Sequence, residues 1–274
     1  MDLDYGWLAA LAAALLATGG LAGVLAGLLG VGGGIVIVPV LFHLFSLLGI
    51  DPAVQMHLAV GTSLATIVPT SIVSARAHHR RDAVDFALLR SWGPAVFVGV
   101  LVGTAVGGLV NGEVLTGVFA VVALAVAANM AFRPEGSVVA DRLPGGGWPH
   151  AIGGIVGAVS AMMGIGGGTL SVPILSAFSY PIRRAVGTAA AIGLIIAVPG
   201  AVGFVVAGLD VPARPPASLG YVNLIGFAVI VPATILAAPF GARIAHAINP
   251  NALRKAFALF LFLTALRMFA RLFG

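Results

Sequence analysis

Apolar runs recur from one end of this chain to the other, most of them about 20 residues long, the length a helix needs to span a hydrocarbon core. They fall at roughly 6–29, 35–49, 56–77, 87–110 and 113–133, and then at 149–164, 169–180, 184–208, 219–247 and 250–273. A polar, Gly/Pro-containing stretch at 134–148 separates the two sets of five. A water-soluble globule cannot be built on this pattern: 60% of the 274 residues are hydrophobic and 8% charged, against roughly 25% charged in a soluble domain. The chain reads as an all-α integral membrane protein with about 8–10 membrane elements. Runs 35–49 and 169–180 are too short to cross alone at 1.5 Å per residue, so each is expected to form a broken pair with the run before it. Asp2 and Asp4 precede the first run with no Lys or Arg. A cleaved signal peptide needs a positive leading region, so this run is expected to stay as a permanent helix.

The chemistry available is narrow. Cysteine is absent, which removes disulfides, thiolate metal sites and thiol catalysis. A pI near 10.7 suggests a nucleic-acid partner, but the net charge is only +5 and thirteen of the fourteen cations are Arg, mostly at the ends of apolar runs, where they set topology. No nucleic-acid partner is expected. There is no carboxylate pair, H-E-x-x-H, G-x-S-x-G or Walker A sequence, so no enzyme, cofactor, metal site or ATP-driven pump is expected.

The two halves are related. Gly30-Val31-Gly32-Gly33-Gly34-Ile35-Val36-Ile37-Val38-Pro39-Val40-Leu41 aligns without a gap to Gly164-Ile165-Gly166-Gly167-Gly168-Thr169-Leu170-Ser171-Val172-Pro173-Ile174-Leu175 at an offset of 134. Ala59-Val60-Gly61-Thr62 then aligns to Ala185-Val186-Gly187-Thr188 at an offset of 126. Repeats over 1–133 and 149–274, joined by a cytoplasmic loop at 134–148, are expected. Arg76, Arg80, Arg81 and Arg90, with His78 and His79, place the loop after 77 in the cytoplasm. Counting crossings puts the 50–55 loop with Asp51, both chain termini and segment 209–218 outside, and Arg183, Arg184, Arg243, Arg254 and Lys255 inside. Basic residues thus sit at non-equivalent places in the two halves, as inverted-topology repeats require. Arg267 and Arg271, near the outside C-terminus, run against the scheme.

Three consecutive glycines disfavour helix by about 1 kcal/mol each relative to Ala, and unwound backbone in a bilayer needs protein or water to satisfy it. Just after each break an apolar helix starts, with Pro39 or Pro173 about one turn in, so free N–H groups and a positive dipole end face the glycines. Inverted repeats would bring the two helix starts together near the midplane as an anion site. The alternative for these glycines is close helix packing, which is the preferred reading for Gly23, Gly27, Gly103, Gly107 and Gly108. Thr62, Ser63, Thr169, Ser171 and Thr188 supply hydroxyls near the breaks, unless they bond back to their own helices. His43, inside the first short helix, is a candidate for proton coupling by default, against a structural role; its counterpart is Ala177. Asn129 and Asn223 read as interhelical hydrogen-bond residues.

The duplicated Gly-Hyd-Gly-Gly-Gly…Val-Pro-Hyd-Leu motif followed by Hyd-Gly-Thr resembles the TauE/SafE sulfite exporter family, also called the 4-toluene sulfonate uptake permease family, over about 20–273. The resemblance implies a secondary transporter of sulfite, sulfoacetate or related organosulfonates in a bacterial or archaeal cytoplasmic membrane, and an exporter in direction. It carries the glycine motif onto Gly30, Gly32, Gly33, Gly34 and Gly164, Gly166, Gly167, Gly168, and the Gly-Thr motif onto Gly61-Thr62 and Gly187-Thr188. Ala189 stands where Ser63 stands in the first half, so the half-sites differ chemically. The expected binding set is Gly32, Gly33, Gly34, Thr62, Ser63, Gly166, Gly167, Gly168, Thr169 and Thr188, with H+ or Na+ as coupling ion and oligomeric state open. A passive anion channel and a non-transporting scaffold are the alternatives.

Overall fold

The structure, a computed structural model, describes residues 5–29, 33–132, 139–141, 143, 145–244 and 250–273. Among them ten helices follow in order: α1 (Tyr5–Leu29), α2 (Gly34–Leu47), α3 (Pro52–His79), α4 (Phe86–Leu109), α5 (Gly112–Phe132), α6 (Trp148–Met163), α7 (Gly168–Ala177), α8 (Ile182–Ala207), α9 (Leu224–Ile244) and α10 (Pro250–Phe273). These are the apolar runs of the sequence, shifted by a few residues at their ends. Five of them, α3, α4, α5, α8 and α9, are long and apolar enough to cross a membrane. The helices begin where the sequence supplies caps. The Asp51 carboxylate accepts from Ala53 N–H at 2.9 Å ahead of Pro52 in the first turn of α3, and Asp85 accepts from Ala87 and Leu88 N–H ahead of α4. One expectation needs correction. Residues 219–223 are not the start of the ninth helix but part of a two-stranded hairpin, Ser218–Leu219 against Val222–Asn223, which turns at Gly220 with φ +54°.

Short α2 and α7, about 21 Å and 15 Å at 1.5 Å per residue, cannot cross a core of about 30 Å. Each instead stands behind a longer neighbour, α2 on α3 and α7 on α8. The principal pairings repeat when the halves are exchanged: α1 packs on α9 and α6 on α4, α3 on α9 and α8 on α4. The equivalent helices α3 and α8 pack on each other, as do α5 and α10. Both of these pairs run antiparallel. Along α3, Gly61 lies by Phe204, Leu64 by Gly200 and Ser71 by Gly193 of α8. On α5, Gly117 approaches Leu272, whereas Val126 and Met130 share a cavity with Phe257. Equivalent helices that pair antiparallel are related by an axis perpendicular to their length, so the two sets of helices are inverted relative to each other.

Glycine sets the closeness of the crossings. Gly19 and Gly23 of α1 lie against the Ile230 and Thr234 carbonyls of α9, and Gly99 and Gly103 of α4 lie against the Gly154 and Ala158 carbonyls of α6. In a bilayer, where lipid tails are as apolar as leucine, such backbone approach is a main source of helix association.

Candidate functional site

Both short helices begin at mid-height. A Cβ on Gly34 would lie 2.8 Å from Ile67 Cδ1 and 2.5 Å from the Gly164 carbonyl oxygen; one on Gly167 would lie 2.7 Å from Ile192 Cγ2 and 2.9 Å from Gly193 N. Ile67 and the Ile192–Gly193 pair sit near the middles of α3 and α8. From there α2 runs toward the 50–52 turn and α7 toward the 178–181 turn, in opposite directions, so both positive dipole ends point at the centre of the bundle. The first break touches the second directly, at Gly34 against Gly164 and Ile165. Gly33 takes φ +77°, a left-handed conformation that glycine adopts without steric cost. Gly30 and Gly32 lie outside the described residues. Gly166, Gly167 and Gly168 are buried.

These glycines are also packing residues. Any side chain on Gly34, Gly164 or Gly167 would meet backbone within 3 Å. Packing and a backbone free of side chains are one requirement here: without Cβ atoms the two breaks nest together at the buried centre of the bundle. In α7 the Ser171 N–H bonds the Gly167 carbonyl at 2.9 Å, and the N–H groups ahead of it have no carbonyl within their own helix. In α2 the Val36 and Ile37 N–H groups share the Gly33 carbonyl.

The hydroxyls separate into two kinds. Ser160, Thr169 and Ser171, at the end of α6 and in the first turn of α7, are buried, and among the described residues their oxygens have no hydrogen-bond partner. Each such group costs about 1–3 kcal/mol. Thr169 and Gly168 line a cavity of about 80 Å³ with Val126, Met130, Val172, Pro173 and Phe257, well above the ~10–15 Å³ that one water requires. Sequence reading singled out Thr169 and Ser171; it missed Ser160, which sits outside the aligned motif. Thr62, Ser63 and Thr188 are instead engaged by the protein. Thr62 Oγ1 accepts from Asn223 N–H at 2.8 Å and Thr188 Oγ1 from Asp85 N–H at 2.9 Å. Asn223 and Asp85 are the residues just before the equivalent helices α9 and α4. The glycine beside each threonine faces a carbonyl of the same incoming segment, Gly61 that of Tyr221 and Gly187 that of Ala83. The repeated Gly-Thr pair is therefore a socket for the start of the fourth helix of each half. Ser63 donates to the Gly164 carbonyl at 2.7 Å and so ties α3 to the second break; Ala189 has no hydroxyl to do the same.

His43 does not reach the breaks. It points into a cavity of about 340 Å³ with Ser46, Leu47, Arg267 and Arg271. A larger cavity of about 640 Å³ lies between α1, α2 and the hairpin, lined mainly by apolar groups, with Asn223 and Gly226 in its wall. At the other end of the bundle, Asp85 joins the two halves: the Tyr180 hydroxyl donates to its carboxylate and Arg184 lies 3.7 Å away. The Tyr180 hydrogen bond, the Leu88 and Ala87 N–H groups and the Arg184 charge hold the Asp85 carboxyl below its ordinary value of 3.8, against the opposing effect of burial. Neither this junction nor the gathering of arginines at His43 has a local sequence pattern.

A family model described as sulfite exporter TauE/SafE matches residues 15–268. A Haemophilus influenzae protein described as a probable membrane transporter is 35% identical over 259 residues, 93% of this chain and 97% of its own length. Proteins with the same description are 28% identical in Methanocaldococcus jannaschii, over 88% of both chains, and 27% identical in Bacillus subtilis, over 86% of this chain and 87% of that one. No solved structure matches.

Proposed function

This chain belongs to the sulfite exporter TauE/SafE family of membrane transporters, and from that premise we propose that it carries small sulfur oxyanions, sulfite or an organosulfonate, by alternating access around a central anion site. The observation that carries this reading is that two oppositely directed helices start at mid-height beside glycine breaks that touch at Gly34 and Gly164, with the unpartnered hydroxyls of Thr169, Ser171 and Ser160 around the second. Each helix start offers roughly half a positive charge, and an oxyanion would supply the acceptors that the free N–H and O–H donors lack. The anion head would rest on the Gly33–Gly34 and Gly166–Gly168 backbone and on Thr169. Thr62 and Thr188 would hold the helices that frame it. The 640 Å³ cavity would form one vestibule, and rocking of one repeat (1–133) against the other (149–274) would open the opposite side. We place the α3–α4 turn in the cytoplasm of a bacterial or archaeal cell and both termini outside, from the charge pattern. Export direction, and coupling to H+ or Na+, belong to the same proposal, with His43 as the residue to test for protons.

The test is a thermal-shift titration of the purified protein with sulfite, sulfoacetate, sulfate, acetate and chloride at fixed ionic strength. A saturable stabilisation by the sulfur anions is expected. Ser171→Ala and Thr169→Val should weaken it about tenfold each while leaving the ligand-free melting temperature unchanged or raised, since among the described residues neither hydroxyl has a protein partner to lose. Unchanged affinity in both variants would move the site away from α7. Flux into proteoliposomes should saturate with substrate; flux that stays linear would mean a channel.

A further inference from the structure

We propose that His43, Ser46, Arg267 and Arg271 form a second oxyanion site, at the end of the bundle away from the Arg76–Arg81 loop. Its ligand is the oxyanion head of a soluble sulfur or phosphorus anion or of a lipid headgroup. The four side chains come from α2 and α10, more than two hundred positions apart in sequence, and line one cavity of about 340 Å³. Arg267 and Arg271 are four residues apart and share a helix face, as His43 and Ser46 do at three. Arg271 is held in place: its Nη2 donates to Gln55 Oε1 at 2.6 Å, and its guanidinium lies 4.5 Å over the Phe42 ring. Among the described residues that leaves most of its five donors free. Among the described residues neither guanidinium has a carboxylate within ion-pair distance. Two like charges one helical turn apart repel. On this face they also oppose the charge asymmetry that orients the rest of the chain. A bound oxyanion would relieve both, through the planar, forked hydrogen bonding that arginine makes with such groups. The site is separate from the central one, and its occupancy can be read without any transport.

Because the chain has no cysteine, Leu47→Cys places a single thiol on the cavity's rim, at a position 81% exposed. Its rate of maleimide labelling would be measured in nanodiscs of phosphatidylcholine, with sulfate or with chloride at equal ionic strength, and in nanodiscs containing phosphatidylglycerol. A saturable slowing by sulfate, about threefold or more at concentrations above its dissociation constant, assigns the site to a soluble oxyanion. Slowing by phosphatidylglycerol without a sulfate effect assigns it to a lipid headgroup. Either effect should vanish when Arg267→Gln is added; Arg267 is exposed, so this variant is expected to fold even where Arg271→Gln does not. No slowing by either ligand, or slowing that survives Arg267→Gln, overturns the proposal. The outcome is independent of whether Ser171→Ala or Thr169→Val changes binding at the centre.

Discussion

Thr62 and Thr188 show how a residue can be legible by position and not by role. The sequence marks both through an aligned Gly-Thr pair, and a hydroxyl near a helix break suggests a ligand. The structure gives each a fixed partner 161 or 103 positions away, and no local pattern encodes that distance. Thr62→Val should cost about 1–3 kcal/mol of stability, because a buried N–H loses its acceptor, and Thr188→Val about 1 kcal/mol, because the N–H it leaves is only part-buried; Thr→Ser should recover most of it. Denaturation of the purified variants without ligand checks this, and unchanged stability would return the hydroxyls to a purely substrate-facing role. Asp85 gives a pH prediction. Its carboxyl is held low in the folded protein, chiefly by the Tyr180 hydroxyl, so its contribution is complete above the ordinary value of 3.8 and is lost as pH falls through the lower folded value. Asp85→Asn should lower the melting temperature at neutral pH and flatten its decline in acid. A decline as steep as that of the wild type would place the acid-sensitive group elsewhere.

At the level of elements, the sequence was a good guide wherever the cause is local. Runs of apolar residues, glycine triplets and cap residues act within a turn or two, and the helices start and stop within a few residues of where these signals put them. The exception, 219–223, is apolar enough for helix but follows the turn at Gly220 and the pairing of Leu219 with Val222. Glycine spacing was legible too, since four-residue repeats mark a contact face, although which helix meets that face was not. Gly103→Ala should destabilise by about 1–3 kcal/mol, as its methyl would collide with the Ala158 carbonyl of α6 in a packed interface. Gly20→Ala, with nothing within 4 Å of the new methyl, should be neutral or stabilising by up to about 1 kcal/mol through helix propensity. Equal effects of the two substitutions on thermal stability would mean that the α4–α6 contact is looser than described.

For the molecule as a whole, inversion was readable from charge placement because topology signals are tied to chain position. The exchange of partners between halves was not, because it depends on faces that all look alike in a chain of Ala, Gly, Val and Leu. Inversion predicts that the α3–α4 and α8–α9 connections lie on opposite sides of the membrane. In intact cells, Asp210→Cys should react with a membrane-impermeant maleimide and Asp82→Cys only after permeabilisation. Labelling of both from one side would rule out the arrangement. The exchanged pairing also sets an order of assembly during synthesis. Helix α4 meets α6 soon after both are made, but α1 rests on α9, and 195 positions separate Leu29 from Leu224. At roughly 5–20 residues per second on the ribosome, α1 waits about 10–40 s for its partner. A helix translated well ahead of its partner thus docks late. Through that interval its glycine face is open to lipid or to the insertion machinery, and a chain terminated before residue 224 would present that face to quality control.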